Sequence, residues 1–285
     1  MPIDLRPLAR RLIPRRVRNW LRSPLRSLAW VRDGLLHRLG RDVIVELRPG
    51  WRLTAHPAAW RTAYRLHTVD PEQIAELDGF IRECRQPMLL FDIGAHFGLF
   101  SFAALHYGGP RARAVAVDPS PVAIGMLRRV ALRNDLADRL TAMEAAAAAE
   151  SGQVSLIDVG VQAAGYFVPA DDAHPTGERT SVQAVTIDAL ARRFGLPTHL
   201  KIDVEGFEAD VLQGARAVLG AAVPPTLFLE LHHLLVRERG LDPAGAIELV
   251  SSLGYGFFDG SGQATDGSAL LGRDLVRVIA RPGNR

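Results

Sequence analysis

From Met88 onward, short apolar segments alternate with segments of helical periodicity, and this alternation limits the fold more than any other feature. MLLFDIG and ARAVAVD are apolar enough for buried strands, and the helical patterns Leu99–Tyr107 and Pro121–Asn134 follow them. Strands that alternate with helices form parallel sheets with helices on both faces. We therefore predict a doubly wound α/β domain, for which a chain of 285 residues is long enough.

The same alternation continues toward the end of the chain, without an internal repeat. Further strands are predicted at Leu140–Glu144, Gln153–Ile157, Val182–Thr186, Leu200–Val204, Thr226–Leu231, Gly254–Phe258 and Leu275–Ile279. Further helices are predicted at Asp188–Phe194, Glu208–Leu219 and Pro243–Leu253. Together with the first two strands they assign residues 88–285 to one domain.

Residues 1–41 form a separate basic arm in this prediction. They hold eleven arginines against Asp4 and Asp33, within a chain whose formal net charge is only +3. After Pro24, leucines recur near helical spacing with arginines between them, which predicts an amphipathic helix. Such a helix could lie on a membrane surface, or it could pack on its own domain with a solvated basic face. Both interpretations stay open, and peripheral membrane contact through residues 1–41 is one predicted partner.

Residues 42–87 are predicted to form a hairpin and a helix that act as a lid. The hairpin covers Asp42–Pro57, where two alternating runs meet at Pro49 and Gly50, and the helix covers Pro71–Cys84. Cys84 is the single cysteine, which suits a reducing compartment. No apolar run approaches the roughly 20 residues that span a bilayer. We therefore expect a cytoplasmic protein, either free or peripheral at the inner membrane surface.

A cofactor site is predicted where the first two strands of the domain end. Asp92, Gly94 and Gly98 follow the first strand, and Asp118 and Pro119 end the second. Glycines allow a tight turn against a ligand, while an acid at the end of the second strand can bind both hydroxyls of a ribose. The dinucleotide pattern G-x-G-x-x-G and the triphosphate pattern G-x-x-x-x-G-K-[ST] are both absent. This combination favours S-adenosylmethionine over nicotinamide dinucleotides and nucleoside triphosphates.

A second cluster of polar residues follows a later strand, in HLKIDVEGFEADVLQGA. Asp203 and Glu205 fall at the carboxyl end of the strand, and Lys201, the only lysine, lies on the same strand face as Asp203. Two carboxyl groups in an apolar crevice repel each other and lose solvation, which can raise a pKa toward that of a general base. Glu208 and Asp210 need only the explanation that acids favour the first turn of a helix.

These motifs together resemble one family. FDIGAHFGLFS, AVAVDPSP, LRNDL, TIDAL, LKIDVEGFEADVLQGA and LFLELHH are similar to segments of FkbM-type S-adenosylmethionine-dependent methyltransferases, over about residues 88–235. The resemblance implies a Rossmann-like class I methyltransferase fold with a mostly parallel seven-stranded sheet. It also implies methylation of a hydroxyl group on a sugar, a glycan or a secondary metabolite.

The resemblance assigns roles to particular residues. It implies that the loop from Asp92 to Gly98, with Gly94, Ala95 and His96, shapes the methionine end of the cofactor site. Asp118 and Pro119 would lie at the ribose, and Glu144 and Ala145 at the adenine. The residues that would face the transferred methyl group and the acceptor are Asp203, Glu205, Glu230 and His232. Family members mostly carry asparagine at the position of His96 and glutamate at that of Asp118.

The chemistry requires a base that takes the proton of the hydroxyl group. His232 or Glu205 is the predicted base, with Asp203 orienting the acceptor or the sulfonium. His233 is equally close in sequence and remains an alternative to His232. Asp203, Glu230 and His232 could bind magnesium or manganese, but without tight ligand spacing in the sequence no metal site is predicted.

The predicted function is therefore O-methylation of a small-molecule or glycan acceptor that uses S-adenosylmethionine. Two other enzyme classes stay open: a nucleic-acid methyltransferase that uses the basic arm, and a nicotinamide-dependent oxidoreductase. A non-catalytic binding module is a further alternative. The arm offers Trp20 and Trp30 but no array of stacking aromatic residues, so no nucleic-acid partner is expected.

Overall fold

An eight-stranded, mostly parallel sheet forms the centre of the computed structural model, which describes residues 41–158, 167–169 and 178–283 together with Leu39. The strands are β1 Val43–Arg48, β2 Trp51–Ala55, β3 Leu89–Ile93, β4 Arg113–Asp118, β5 Leu140–Glu144, β6 Ala146–Ala147, β7 Gly152–Asp158, β8 Phe167–Pro169, β9 Glu178–Val185, β10 His199–Ile202, β11 Thr226–Leu231, β12 Tyr255–Phe258, β13 Ala264–Thr265 and β14 Val276–Pro282. The helix predicted after Pro24 lies outside the described residues.

Helices cover both faces of this sheet. They are α1 Pro57–Ala59, α2 Leu66–Val69, α3 Pro71–Glu83, α4 Leu99–Tyr107, α5 Pro121–Arg133, α6 Ile187–Phe194, α7 Glu208–Gln213, α8 Arg216–Leu219, α9 His233–Glu238, α10 Ala244–Ser252 and α11 Gly267–Leu270, and a π-helical turn, Trp60–Tyr64, lies between α1 and α2. None of the described helices is long and apolar enough to cross a membrane.

The strand order of the central sheet is β13-β12-β14-β11-β10-β3-β4-β5. The five strands from β11 to β5 run parallel, while β14 is antiparallel to both of its neighbours. Strands β3 and β10 are buried along their whole length because helices cover both faces. The predicted Rossmann-like, mostly parallel α/β sheet is confirmed. The two-residue edge strand β13 adds an eighth strand to the seven predicted.

A second sheet of four strands, in the order β6-β9-β7-β8, lies beside the end of β5. Its longer strands, β7 and β9, correspond to the strands predicted at Gln153–Ile157 and Val182–Thr186, and they pair antiparallel. The two-residue strand β6 connects the sheets, since it follows β5 directly and pairs with β9 in parallel.

The single helix predicted at Glu208–Leu219 is wrong, because the chain forms two short helices there. Helix α7 ends at Gln213 and α8 begins only at Arg216. At Gly214 the backbone of the β6 region comes so close that an added Cβ would lie 2.2 Å from the carbonyl oxygen of Ala148. The Gly214 carbonyl also accepts a hydrogen bond from the backbone N–H of Asp188, so it is not available to a continuous helix.

The hairpin β1–β2 and helix α3 pack against one face of the central sheet. Trp51 and Tyr64 are fully buried there, among side chains of helices α4 and α5. Phe80 of α3 makes edge-to-face contacts with Phe100 and with Phe228 of β11, with ring centroids 5.2 and 4.8 Å apart. This N-terminal segment therefore completes the hydrophobic core on that face.

The side chain of Asn134, which directly follows α5, binds the hairpin, and its contribution to stability is testable. The Asn134 amide donates to the carbonyls of Thr54 and Val130 and accepts from the Thr54 N–H, at 2.9, 2.7 and 2.8 Å. We expect Asn134→Ala to lower the free energy of unfolding by about 2–3 kcal/mol, because buried backbone groups lose their partners. Urea denaturation measures the change.

The matched control for this variant is Leu132→Ala. Leu132 lies on the same helix, is 67% exposed, and its truncation should change stability by less than about 0.5 kcal/mol. Equal stability of Asn134→Ala and wild type would contradict the role given to this amide.

Candidate active site

The carboxyl ends of the parallel strands meet at one cavity of about 550 Å³. Strands β3, β10 and β11 are adjacent, and the residues that follow them face the same crevice. The cavity is lined by Gly94, His96, Val117, Asp118, Pro119, Ser120, Ala145–Glu150, Val154, Ser155, Asp203, Val204, Glu205, Phe207, Asp210 and Arg239. Its volume is in the range of small-molecule and cofactor sites.

Asp118 has the geometry of a buried acceptor at one end of this cavity. Its side-chain oxygens accept hydrogen bonds from the backbone N–H groups of His96 and Ser120, both at 2.8 Å. Burial raises the pKa of Asp118 to about 6, although both hydrogen bonds oppose the shift. Each oxygen of a carboxylate carries two lone pairs, so Asp118 can still accept from the hydroxyls of a ribose.

The remaining residues predicted for the cofactor divide into two groups. Gly94, His96, Pro119 and Ala145 line the cavity with Asp118, whereas Asp92, Ala95, Gly98 and Glu144 are not part of its lining. Asp92 is completely buried and accepts from the N–H and the hydroxyl of Ser101, at 2.9 and 2.6 Å. Asp92 therefore fixes the start of α4, and Glu144 is the exposed last residue of β5.

The glycine loop comes into close contact with the second polar cluster at Gly94. Gly94 has a φ of +74°, and an added Cβ would lie only 1.7 Å from the carbonyl oxygen of Asp203. Any side chain at this position would push β3 and β10 apart. Gly94 therefore brings the cofactor loop against the residues predicted to act on the acceptor.

His96 adopts a left-handed backbone conformation, with a φ of +48°. Histidine and asparagine are both enriched among the non-glycine residues that tolerate this conformation. This explains how His96 can replace the asparagine that the family resemblance leads one to expect. Its ring stacks on Phe97 with centroids 3.7 Å apart, and burial lowers the pKa of His96 to about 4, so the imidazole is neutral at pH 7.

His232 lies between two carboxyl groups behind Glu205, and of the four residues predicted to face the acceptor only Asp203 and Glu205 line the cavity. Its Nδ1 is 2.8 Å from Oε1 of Glu208, and its Nε2 is 3.1 Å from Oε2 of Glu205. The nearest oxygens of Asp203 and Glu230 are each 3.9 Å from Nε2. The structure thus brings together all four residues predicted to face the acceptor.

The protonation states of this cluster follow from burial and charge. Burial alone would lower the pKa of His232, but the hydrogen bond to Glu208 and the charges of Glu205 and Asp203 raise it to about 9. Burial raises the pKa of Glu205 to about 7, against the opposing charge of His232. Burial would also raise the pKa of Asp203, but Lys201 and then His232 hold it below its usual range. Burial, and then the charge of Asp203, raise the pKa of Glu230 to about 8. Glu205 and Glu230 can therefore both gain or lose a proton near neutral pH, and of the two only Glu205 lines the cavity.

Lys201 is completely buried beneath this cluster and forms three ion pairs. Its Nζ lies 3.0 Å from Glu76 and 3.7 Å from both Asp203 and Glu230. Burial alone would lower the pKa of Lys201, but the charges of Glu76, Asp203 and Glu230 raise it, so the ammonium stays protonated. Arg277 of β14 pairs with Glu76 and with Glu230, its direct cross-strand partner.

Sequence reasoning missed Glu208, Glu76 and Arg277. Glu208 was interpreted as a helix-start residue, but it is 2% exposed and also accepts from the Gly206 N–H. Its position three and four residues before the buried Val211 and Leu212, on one helix face, was the available signal. No local pattern identifies Glu76 or Arg277, because their ion pairs connect elements that are far apart in the sequence.

His233, the alternative to His232, points elsewhere. Its Nδ1 is 3.0 Å from the carbonyl oxygen of Arg273, and the side chain is buried against that loop. His233 does not line the cavity.

Asp203, Glu205 and His232 each offer one ligand atom, and these atoms lie within 4.8 Å of one another. They could hold a divalent cation only if His232 gave up its Nε2 proton, because metals bind neutral imidazole. The protonated imidazole already lies between two carboxyl groups. The prediction that the protein has no metal site stays a prediction.

A mostly parallel sheet with the antiparallel strand β14 next to β11, and with a cavity at its strand ends, defines a Rossmann-like class I methyltransferase fold. The residues present fit S-adenosylmethionine: Asp118 offers acceptors for a ribose, the alanines of Ala145–Ala149 form an apolar wall, and the Gly94 backbone makes room beside Asp203.

The methyltransferase FkbM domain matches residues 92–257, and the chain belongs to this family. This is a family of S-adenosylmethionine-dependent methyltransferases.

The chain is similar to several solved structures at low sequence identity. The methyltransferase FkbM of Methylobacillus flagellatus is 17% identical with a TM-score of 0.45, covering 69% of this chain and 44% of its own. This chain therefore spans less than half the length of that protein. A precorrin-6y C5,15-methyltransferase from Geobacter metallireducens is 14% identical with a TM-score of 0.42, covering 78% and 93%. Aeropyrum pernix fibrillarin, solved with natively bound S-adenosyl-L-methionine, is 12% identical with a TM-score of 0.39, covering 69% and 67%. No curated protein matches the chain.

The geometry of Asp118 generates a prediction for cofactor binding. Asp118→Ala should raise the Kd of S-adenosylmethionine at least about tenfold. A hydrogen bond to a charged acceptor contributes about 1.5–3 kcal/mol, and the variant loses the carboxylate that would accept from the ribose. Isothermal titration calorimetry measures this Kd, and a thermal melt verifies that the variant is folded.

Glu144→Ala is the matched control, since Glu144 is the cross-strand neighbour of Asp118 but does not line the cavity. Its Kd should stay within about twofold of wild type. Equal effects of the two substitutions would show that the ribose site is misplaced.

Proposed function

We propose that this protein transfers a methyl group from S-adenosylmethionine to a hydroxyl group of a sugar, a glycan or a secondary metabolite. The observation that carries this proposal is the carboxyl group of Glu205. It lines the cavity, lies 3.1 Å from His232, and has a pKa raised by burial to about 7. A base with a pKa near the working pH is the group that a neutral hydroxyl acceptor needs.

Each residue of the cluster has a distinct part in this mechanism. Glu205, in its ionised form, takes the proton of the acceptor hydroxyl as the oxygen forms its bond to the methyl carbon. His232 is held by Glu208 and keeps Glu205 in place through its Nε2–H. Asp203 stays ionised beside Lys201 and stabilises positive charge in the cavity. When bound, the cofactor supplies an activated methyl group and leaves as S-adenosylhomocysteine.

Glu205 is itself held in an unusual conformation. Its φ is +52°, in the left-handed region that residues with long side chains seldom adopt. Non-glycine residues keep such a conformation only when their surroundings enforce it, and they cluster at functional sites. This backbone geometry is a second feature that supports a functional role for the Glu205 side chain.

Three polar residues of the cavity lining are suited to a polyhydroxylated acceptor. They are Ser155, Asp210 and Arg239, and they offer both donors and acceptors of hydrogen bonds. Arg239 donates to the carbonyl of Gly206 at 2.6 Å and lies over the ring of Phe207, 3.8 Å from its centroid. Polar groups with fixed positions on an apolar wall are suited to orient one hydroxyl among several.

The basic segment 1–41 has a separate proposed role, contact with a membrane surface at the inner face. Its eleven arginines are the observation that favours this partner, because anionic lipids attract basic segments. Binding of the full chain to vesicles with and without anionic lipid tests this proposal. Binding only to the anionic vesicles would support membrane contact, and binding to neither would favour a helix that packs on its own domain.

Methyl-label transfer to a panel of glycans and metabolites tests the proposed reaction. The expected product is a methyl ether, which retains its label after mild alkaline treatment. Label found only in an alkali-labile ester, or on an amine, would exclude a hydroxyl acceptor.

The pH dependence gives an independent prediction. Because Glu205 must be ionised to accept a proton, kcat/KM should rise with pH through an apparent pKa of about 7. Glu205→Gln should lower kcat by about 10²- to 10⁴-fold and abolish this rise. Steady-state kinetics between pH 5 and pH 9, at the ends of which Glu205 is almost fully protonated or ionised, provides the measurement.

The exposed Glu238 on α9 offers the control Glu238→Gln, for which both kcat and its pH dependence should equal those of wild type. A Glu205→Gln variant that keeps the wild-type pH profile would assign the base to another residue.

A further inference from the structure

Glu76 reaches the cavity cluster from outside the part of the chain that matches the family. It lies on α3, before residue 92, where the match begins. Its side chain is only 9% exposed and makes no contact with the cavity itself. A buried carboxylate at the base of a charged cluster acts through its neighbours, so its contacts indicate its role.

Glu76 divides its two oxygens between two cations. Oε1 is 3.0 Å from Nζ of Lys201, and Oε2 is 3.0 Å from Nε of Arg277. The same ammonium is 3.7 Å from Asp203 and 3.7 Å from Glu230. Lys201 is therefore closer to Glu76, at the back of the cluster, than to Asp203, which lines the cavity.

Asp203 is the carboxyl group of this cluster that stays ionised and lines the cavity. The other carboxyl groups are Glu76, Glu205, Glu208 and Glu230, and the cations are Lys201, Arg277 and protonated His232. Glu205 and Glu230 are partly protonated near pH 7, because burial raises their pKa values to about 7 and about 8. The charge of Asp203 attracts a cation, and the sulfonium of S-adenosylmethionine is one, whereas the thioether of S-adenosylhomocysteine is neutral.

We propose that Glu76 is a positioning residue that favours the charged cofactor over its neutral product. By holding the ammonium of Lys201 at the back of the cluster, Glu76 leaves the negative charge of Asp203 directed at the cavity. The inference extends beyond the acceptor chemistry, since it concerns only the cofactor and this chain's own residues.

Removal of the Glu76 charge would redirect Lys201. The ammonium is completely buried. Apart from its carboxylate partners, it lies over the ring of Phe100, 5.0 Å from the ring centroid. A buried cation without its main partner moves toward the carboxylates that remain. These are Asp203 and Glu230, and closer pairing with Lys201 would cancel the charge that Asp203 presents to the cavity.

Calorimetric titration of the full chain with S-adenosylmethionine and with S-adenosylhomocysteine tests this inference. Glu76→Gln should raise the Kd of S-adenosylmethionine about five- to tenfold, as expected for the loss of one charge interaction at an intermediate dielectric constant. The Kd of S-adenosylhomocysteine should change less than about twofold. Equal weakening of both ligands would overturn the inference, since a merely structural role predicts that result.

Glu72→Gln is the matched control. Glu72 lies one turn earlier on α3, is 69% exposed, and is 3.8 Å from Arg277, so it has the same charge and helix without the contact to Lys201. Both dissociation constants should equal those of wild type. A fivefold loss of preference in Glu72→Gln would show that general surface charge, rather than Glu76, produces the effect.

The double variant Glu76→Gln/Lys201→Met keeps the inference testable if Glu76→Gln fails to fold. It removes the buried cation together with its nearest partner, so the net charge of the cluster is unchanged. Because Glu76 acts through Lys201, the double variant should show the preference for S-adenosylmethionine that the single variant lacks. A preference reduced more than fivefold in the double variant would contradict action through Lys201. Methyl transfer to hydroxyl groups is not measured here, so failure of the proposed reaction would leave this result unaffected.

Discussion

The ion pairs of Lys201 determine how the site is assembled. A completely buried ammonium is stable only when carboxylates surround it, because burial of an isolated charge is strongly unfavourable. Its partners Glu76, Asp203 and Glu230 come from helix α3, the end of β10 and strand β11. Arg277 adds strand β14 to the same network. The charge of one lysine therefore links four separate elements directly beneath the cavity.

A second constraint joins this network to the cofactor loop. Gly94 allows the loop after β3 to contact the backbone of Asp203, where any side chain would overlap the carbonyl oxygen. In the proposed mechanism, the cofactor side of the cavity, with Asp118, and the acceptor side, with Glu205, consequently share one wall. A methyl donor bound in this way would lie within reach of the proposed base, and proximity of this kind supplies much of the rate of a displacement reaction.

Much of this arrangement could be predicted from the sequence, because periodicity and strand-end residues are local signals. The parallel sheet follows from alternating apolar and helical segments, and Asp203, Glu205, Glu230 and His232 lie together because adjacent parallel strands end at the same edge. The break after Gln213 could not be predicted, since it depends on the backbone of Ala148 more than 60 residues away. Glu76 and Arg277 escaped prediction for the same reason: their importance lies in ion pairs across the core, which no short pattern records.

We propose that the cofactor lies with its ribose at Asp118 and its sulfur beside Asp203 and Glu205. A crystal structure with bound S-adenosylhomocysteine tests this most directly. The predicted result is a pair of ribose hydroxyls within hydrogen-bond distance of the Asp118 carboxylate and the sulfur at the wall that Gly94 and Asp203 share. A ribose bound away from Asp118, or a sulfur atom at another strand end with Glu205 facing only protein, would contradict the account.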